Sequence, residues 1–103
     1  MLLLGLDIGS SSVKGAVLDG NSGKVLASTF YPKKELQIHA PRAGWAEQDP
    51  ETWWTCIQEV CKELFKADGL DTSQIGAIGI SYQMHGLVMV DKDQQVLRPS
   101  IIW

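Results

Sequence analysis

Residues 2–19, LLLGLDIGSSSVKGAVLD, contain two apolar runs on either side of a turn made of glycine and serine. The runs Leu2–Ile8 and Val13–Asp19 have the length and composition of β-strands. A second turn, Gly20–Gly23, leads into a third apolar run, Lys24–Tyr31. Glycine, asparagine and serine are the residues that tight hairpin turns require, so this region predicts a three-stranded meander.

A helix and two further strands are predicted after a long loop. Asp49–Glu51 is typical of a helix start, with an N-cap oxygen, a proline in the first turn and an acidic residue near the positive end of the helix dipole. Gly69 suits the helix end. Ile75–Ser81 is predicted to run parallel to an earlier strand with both faces covered, and Leu87–Val90 to form a fifth strand. Apolar residues recur through the helix at spacings of three and four, and are predicted to form its buried face: Trp53, Trp54, Ile57, Val60, Cys61, Leu64 and Phe65.

The order of the elements predicts an α/β unit with a mixed sheet. Residues 98–103, RPSIIW, begin another apolar segment, so the unit is expected to be incomplete at its C-terminal end. We expect Ile101, Ile102 and Trp103 to be exposed there, which favours a homo-oligomer.

Composition excludes several classes of protein. The 103 residues suffice for one domain, and nine Lys and Arg against twelve Asp and Glu give a net charge of −3. An acidic chain is a poor candidate for binding nucleic acid or an anionic membrane, and no apolar stretch approaches the ~20 residues of a membrane span. Cys56 and Cys61 are too few for a disulfide framework and are expected to be reduced, as in a cytoplasmic protein.

The first candidate site is the turn between the first two strands. Gly9 lets the backbone approach a ligand, and the amides and hydroxyls of the serines after it can point into one concavity. Such a turn suits phosphate oxygens with Lys14 as a nearby cation, whereas Asp7 would hold Mg²⁺ or its water shell. The alternative is a hairpin whose Asp and Ser side chains satisfy the turn amides. The candidate residues are Asp7, Gly9, Ser10, Ser11, Ser12 and Lys14.

The second candidate site follows the predicted strand at Ile75–Ser81. Gln83 and His85 can hydrogen-bond the hydroxyls of a small polar substrate, and Met84 can pack against its carbon skeleton. Ligands gather where the strands of open α/β sheets end, although a β-bulge with a locally satisfied histidine is the alternative. Trp45 could line a sugar pocket, but we favour a structural role in which it fixes the loop to the helix.

Four segments of the chain together resemble the N-terminal part of the FGGY family of carbohydrate kinases, in the same order along the sequence. The segment Gln83–Gly86 is similar to that of the pentulose kinases, whereas glycerol kinases resemble Gln-Arg-Glu there. The four segments are Gly5–Lys14, Trp45–Pro50, Ile80–Gly86 and Val96–Trp103.

The resemblance implies an actin-like, ribonuclease-H-like ATPase fold and transfer of the γ-phosphoryl group of ATP to a sugar hydroxyl. It implies that Asp7 and the turn Gly9–Ser12, called the serine turn below, face Mg·ATP and that Lys14 lies near the phosphates. It also implies that Met84 and His85 contact D-xylulose, and that Trp103 lines the sugar site.

Family members are several times longer and have two actin-like domains. The resemblance therefore implies that residues 1–103 are the N-terminal part of the first domain, with the second domain absent. The aspartate that acts as general base is expected downstream, so we expect no catalytic residue and no kinase activity in these residues alone. The alternatives are a non-catalytic binding or assembly module of the same fold, and a kinase for ribulose, another ketose or a polyol such as glycerol.

Overall fold

The computed structural model describes residues 1–103 and contains a four-stranded sheet with one helix against it. The elements are β1 (Leu2–Ile8), β2 (Val13–Asp19), β3 (Val25–Tyr31), β4 (Glu47–Gln48), α1 (Pro50–Leu64), a 3₁₀ turn (Thr72–Gln74), β5 (Ile75–Tyr82) and β6 (Ser100–Ile101). The strand order in the sheet is β3-β2-β1-β5, in which β2 pairs antiparallel with β1 and with β3, and β5 runs parallel to β1. The predicted meander and the predicted parallel strand are therefore confirmed.

The hydrophobic core lies between α1 and one face of the sheet. Alternate residues of β1 and β2 point toward the helix, because successive side chains of a strand face opposite sides. They meet a single stripe of α1, and the buried members of the cluster are Leu4, Leu6, Val13, Val17, Cys56, Val60 and Leu64. No helix in the structure has both the length and the apolar character that crossing a membrane requires.

Helix α1 begins where the sequence predicts and ends earlier. The Asp49 side chain accepts a hydrogen bond from the Glu51 amide at 3.0 Å, which confirms the N-cap. The predicted stop at Gly69 is wrong, because the helix ends at Leu64 and the chain continues through tight turns in which Lys66 and Ala67 bond three residues back. Gly69 instead adopts a φ of 74° in the last of these turns.

Several residues predicted to be buried are exposed. Trp54, 57% exposed, lies on the solvent side of the helix, and Phe65, 38% exposed, follows its last residue, so the assignment of both to the buried face of the helix is wrong. The helix packs mainly over β2 and β3. Strand β5 is left uncovered, with Ile78 and Ile80 about three-fifths exposed. The prediction that both faces of this strand are covered is therefore wrong.

The end of the chain pairs with the loop before α1 to form a second, smaller sheet. Strand β6 pairs antiparallel with β4, and the predicted strand Leu87–Val90 is replaced by single bridges from Leu87 to Ile101 and from Val90 to Val96. Ile102 donates its amide to the Ala46 carbonyl at 3.0 Å and is buried. The expected exposure of Ile102 is therefore wrong, because the loop before α1 covers it. The exposure expected for Ile101 and Trp103 is confirmed.

Candidate functional site

The β1–β2 turn is closed by one internal hydrogen bond and by contacts to the loop before α1. Gly9 donates its amide to the Ser12 carbonyl at 3.0 Å, and a Cβ on Gly9 would stand only 3.0 Å from that same oxygen. The carbonyl of Ser11 accepts from the Leu36 amide at 2.8 Å, and that of Ser10 accepts from the side-chain amide of Gln48. Hydrogen bonds from within the turn and from the loop before α1 therefore fix the backbone of the turn.

Asp7 and Lys14 lie opposite each other on the face of the sheet away from the core. The strand register aligns Asp7 with Lys14 and with Ser81, and aligns Lys14 with Phe30. These four side chains form a row across the sheet. Asp7 and Lys14 are both exposed, and neither has a side-chain hydrogen bond or ion pair in the structure.

Small residues form a second row beside the first and leave a depression in the sheet. Gly5 is aligned with Ala16 and Gly79, and Ala16 is aligned with Ser28. Both rows contribute to the lining of a cavity of about 950 Å³. A cavity of this size, with a carboxylate and an ammonium group on its wall, suits a polar ligand that carries charge.

The second candidate cluster begins at the end of β5, beside the serine turn. The Gln83 amide donates to the Ile8 carbonyl at 3.1 Å, which continues the parallel pairing of β1 with β5. Gln83 and Gly9 therefore lie at the same edge of the sheet, as the position of both clusters at strand ends predicts. The Nε2 atom of Gln83 is buried without a hydrogen-bond partner, whereas Met84 and His85 are exposed.

Trp103 lies in a different cavity from Asp7. This second cavity, of about 290 Å³, is lined by Trp103 together with Trp45, and with Arg98 and Glu47, which form an ion pair. Trp45 is 48% exposed, and its ring lies beside Arg42 at 5.0 Å. A hydrogen bond joins the loop before α1 to the helix: Gln48 Oε1 accepts from the Trp53 indole at 3.0 Å.

Gln48 is the residue at this site that the sequence analysis missed. It is 3% exposed and lies in β4, where its side chain reaches the serine turn. In the sequence it stands among other polar loop residues, so no pattern distinguishes it from a solvated glutamine.

A magnesium ion fits the turn only with help from ligands outside the protein. No group of three or more His, Cys, Asp or Glu side chains is arranged to hold a metal. Asp7 supplies one exposed carboxylate that makes no hydrogen bond or ion pair with the rest of the protein. Mg²⁺ commonly takes one or two carboxylates and completes its octahedron with water and phosphate oxygens, so this arrangement suits Mg²⁺ bound to a nucleotide.

The resolved pKa shifts lie outside both clusters and have structural causes. Burial raises the pKa of the Cys56 thiol, with a smaller effect from the Glu59 charge, and burial alone raises the pKa of Cys61. Both thiols are free, as expected. The pKa of Asp71 is lowered because its carboxylate accepts hydrogen bonds from the Ser73 hydroxyl and amide.

Comparison with known proteins decides the family. Residues 2–103 match the N-terminal domain of the FGGY family of carbohydrate kinases. The chain belongs to this family. A xylulose kinase from Klebsiella pneumoniae is 40% identical over 102 residues, which are 99% of this chain and 20% of that protein. A glycerol kinase from Rhizobium meliloti is 32% identical over 102 residues, which are 98% of this chain and 20% of that protein.

The solved structures of family members confirm the fold. The crystal structure of xylulose kinase from Rhodospirillum rubrum superimposes with a TM-score of 0.85 at 30% identity, covering 99% of this chain and 20% of that one. The predicted α/β fold of the actin-like ATPase type is therefore confirmed. This FGGY chain spans about a fifth of the length of the curated relatives it matches.

Proposed function

We propose that this chain is the N-terminal part of the first actin-like domain of a kinase that transfers the γ-phosphoryl group of ATP to D-xylulose in the cytoplasm. The observation that carries the proposal is the hydrogen bond from the Gln83 amide to the Ile8 carbonyl, which brings the two candidate clusters to one edge of the sheet. Similarity to xylulose kinases supports the choice of sugar.

In this proposal the serine turn and its neighbours bind the phosphates. The hydroxyls and free amides of Ser10, Ser11 and Ser12 donate to phosphate oxygens, and Lys14 neutralises part of their charge. Asp7 would hold Mg²⁺, directly or through water. When bound, the ion would reduce the repulsion among the negatively charged phosphate oxygens during phosphoryl transfer. Phosphoryl transfer depends mainly on positioning and charge neutralisation, and these residues supply both.

The cluster at the end of β5, beside the serine turn, is proposed to bind the sugar. Gln83 has a buried Nε2 with two unused N–H donors, which suits a sugar hydroxyl. His85 supplies a further hydrogen-bonding group, and Met84, 84% exposed, offers an apolar surface for the carbon chain. Trp103, which follows β6 and lines the smaller cavity, is proposed to line the sugar site.

The general base of the reaction is proposed to be an aspartate that lies downstream of residue 103 in the full-length protein. Asp7 lies beside the phosphate turn, where a carboxylate suits the metal and would be poorly placed to deprotonate a sugar hydroxyl. Residues 1–103 alone are therefore expected to show no sugar phosphorylation.

The test uses the full-length protein that carries this chain, assayed for sugar-dependent ADP formation. We expect turnover with D-xylulose, a rise of about tenfold or more in KM for D-xylulose in His85→Ala, and a KM for ATP within about twofold of wild type. Asp7→Asn is expected to lower kcat by about a hundredfold or more. His39→Ala changes the other histidine, which is exposed in the loop before α1, and should match wild type. Absence of D-xylulose-dependent turnover would contradict the proposal.

The second candidate function is a kinase for a polyol, which similarity to a glycerol kinase favours. The same assay run with glycerol and D-ribulose decides between the substrates by kcat/KM. A larger kcat/KM for glycerol than for D-xylulose would replace the proposed sugar and keep the proposed reaction.

A further inference from the structure

The buried side chain of Gln48 joins three other parts of the chain. Its Nε2 donates to the Ser10 carbonyl in the serine turn and, at 3.4 Å, to the Gln37 carbonyl in the loop before α1. Its Oε1 accepts from the Trp53 indole of α1 at 3.0 Å. Both N–H groups and the oxygen of the amide are therefore engaged, and no other residue type of this length offers the same set.

The hydrogen bond to Ser10 fixes the direction of the amide that follows it. In a planar trans peptide the C=O of one residue and the N–H of the next point in opposite directions. Because Gln48 holds the Ser10 carbonyl toward the protein, the Ser11 N–H points away from it. The Leu36 amide holds the Ser11 carbonyl at 2.8 Å and directs the Ser12 N–H in the same way.

The two amides directed outward are free to bind a ligand. Neither the Ser11 N–H nor the Ser12 N–H donates a hydrogen bond in the structure. Successive free N–H groups in a turn form a concavity that binds anions such as phosphate. The serine turn thus has two free N–H donors on its outer side. Behind it lies the side-chain amide of Gln48, whose hydrogen-bonding groups are all used.

We infer that Gln48 is a positioning residue that orients the Ser11 amide toward phosphate through its bond to the Ser10 carbonyl. The inference rests on the proposed function, since it assigns the turn to the phosphates of ATP. Without the Nε2 donor the peptide between Ser10 and Ser11 is free to rotate, and the Ser11 N–H turns away from the ligand. A misplacement of this kind lowers the rate without removing any group that touches ATP.

Three substitutions in the full-length protein separate positioning from stability. Gln48→Glu keeps the acceptor for Trp53 and loses the donor to Ser10, Gln48→Met loses both, and Trp53→Phe loses only the bond to the helix. We expect kcat/KM for ATP to fall about tenfold or more in both Gln48 variants and less than about threefold in Trp53→Phe. KM for D-xylulose should stay within about twofold of wild type, because the sugar cluster is not bonded to Gln48.

Hydrogen exchange of the turn gives a readout that does not depend on turnover. The Gly9 and Leu36 amides, which donate to the carbonyls of Ser12 and Ser11, should exchange faster in Gln48→Glu than in wild type, while peptides from α1 exchange at the wild-type rate. Wild-type kinetics and wild-type exchange in the Gln48 variants would overturn the inference and leave the proposed function standing. Loss of the fold in both variants would also overturn it, because Gln48 would then serve stability.

A wild-type protein without sugar-dependent turnover would refute the proposed function alone. In that case exchange at the Gly9 and Leu36 amides still decides whether Gln48 orients the turn.

Discussion

Replacing Gly15 by alanine tests how closely α1 packs on the sheet. Gly15 is buried in β2, and a Cβ placed on it would stand 2.5 Å from Val60 Cγ1, 3.0 Å from Leu64 Cδ1 and 3.3 Å from Leu6 Cδ2. Val60 is fully buried, and its β-branched side chain has little rotamer freedom in a helix. The added methyl group therefore forces the helix away from the strand, and overpacking of this kind costs about 1–3 kcal/mol in the free energy of unfolding.

A second substitution identifies the clash as the cause. Val60→Ala removes two buried methyl groups at ~0.8 kcal/mol each and leaves a small cavity, so alone it should cost about 2 kcal/mol. In the double variant the new methyl group at Gly15 occupies part of that cavity. With about 2 kcal/mol for each single change, we expect the pair to cost about 2 kcal/mol rather than the additive 4 kcal/mol.

Urea unfolding of the 103-residue chain, followed by tryptophan fluorescence, measures these differences. Gly79→Ala is the matched control, because a Cβ at Gly79 meets no atom within 4 Å. It should change stability by less than about 0.5 kcal/mol. The packing argument is refuted if Gly15→Ala is as stable as Gly79→Ala, or if the costs of Gly15→Ala and Val60→Ala are additive in the double variant.

Three further predictions concern the helix start, the thiols and the second sheet. Asp49→Ala removes the N-cap bond to the Glu51 amide and should lower the free energy of unfolding by about 1 kcal/mol in the same urea unfolding assay, whereas Asp49→Asn, which keeps an acceptor oxygen, should lose much less. Because burial raises the pKa of Cys56 and Cys61, the thiolate fraction at neutral pH is below that of a free thiol. Their alkylation by iodoacetamide should be slower than that of glutathione and should increase as the pH rises; equal rates at pH 7 would contradict the burial of the thiols. Ile102→Ala should cost about 2–5 kcal/mol, because Ile102 is 1% exposed, and a change below about 0.5 kcal/mol in chemical denaturation would show that the β4–β6 sheet is not packed as described.

The local features of the fold were predictable because neighbouring residues determine them. Strands β1 and β2 have the predicted bounds, since the turn residues between them require a reversal of the chain. The N-cap at Asp49 involves atoms only two residues apart and was equally predictable. Both candidate clusters were expected at strand ends, and β5 was expected to run parallel to an earlier strand; the structure shows that this strand is β1, which brings the clusters to one sheet edge.

Burial and long-range polar contacts were not predictable in the same way. Ile78 and Ile102 look alike in sequence, yet one is 60% exposed and the other 1% exposed, because the loop before α1 covers Ile102 whereas α1 leaves Ile78 uncovered. The role of Gln48 depends on Ser10, which lies 38 residues away.

The sequence by itself determined the family, the strands of the meander, the start of the helix and the residues of the two candidate clusters, because these depend on short-range chemistry and on segments that resemble known ones. Only the tertiary structure decided which apolar side chains are covered, where Trp103 lies relative to Asp7, and how Gln48 holds the serine turn. Those features arise from contacts between segments far apart in the chain, and the periodicity of a single segment contains no information about them.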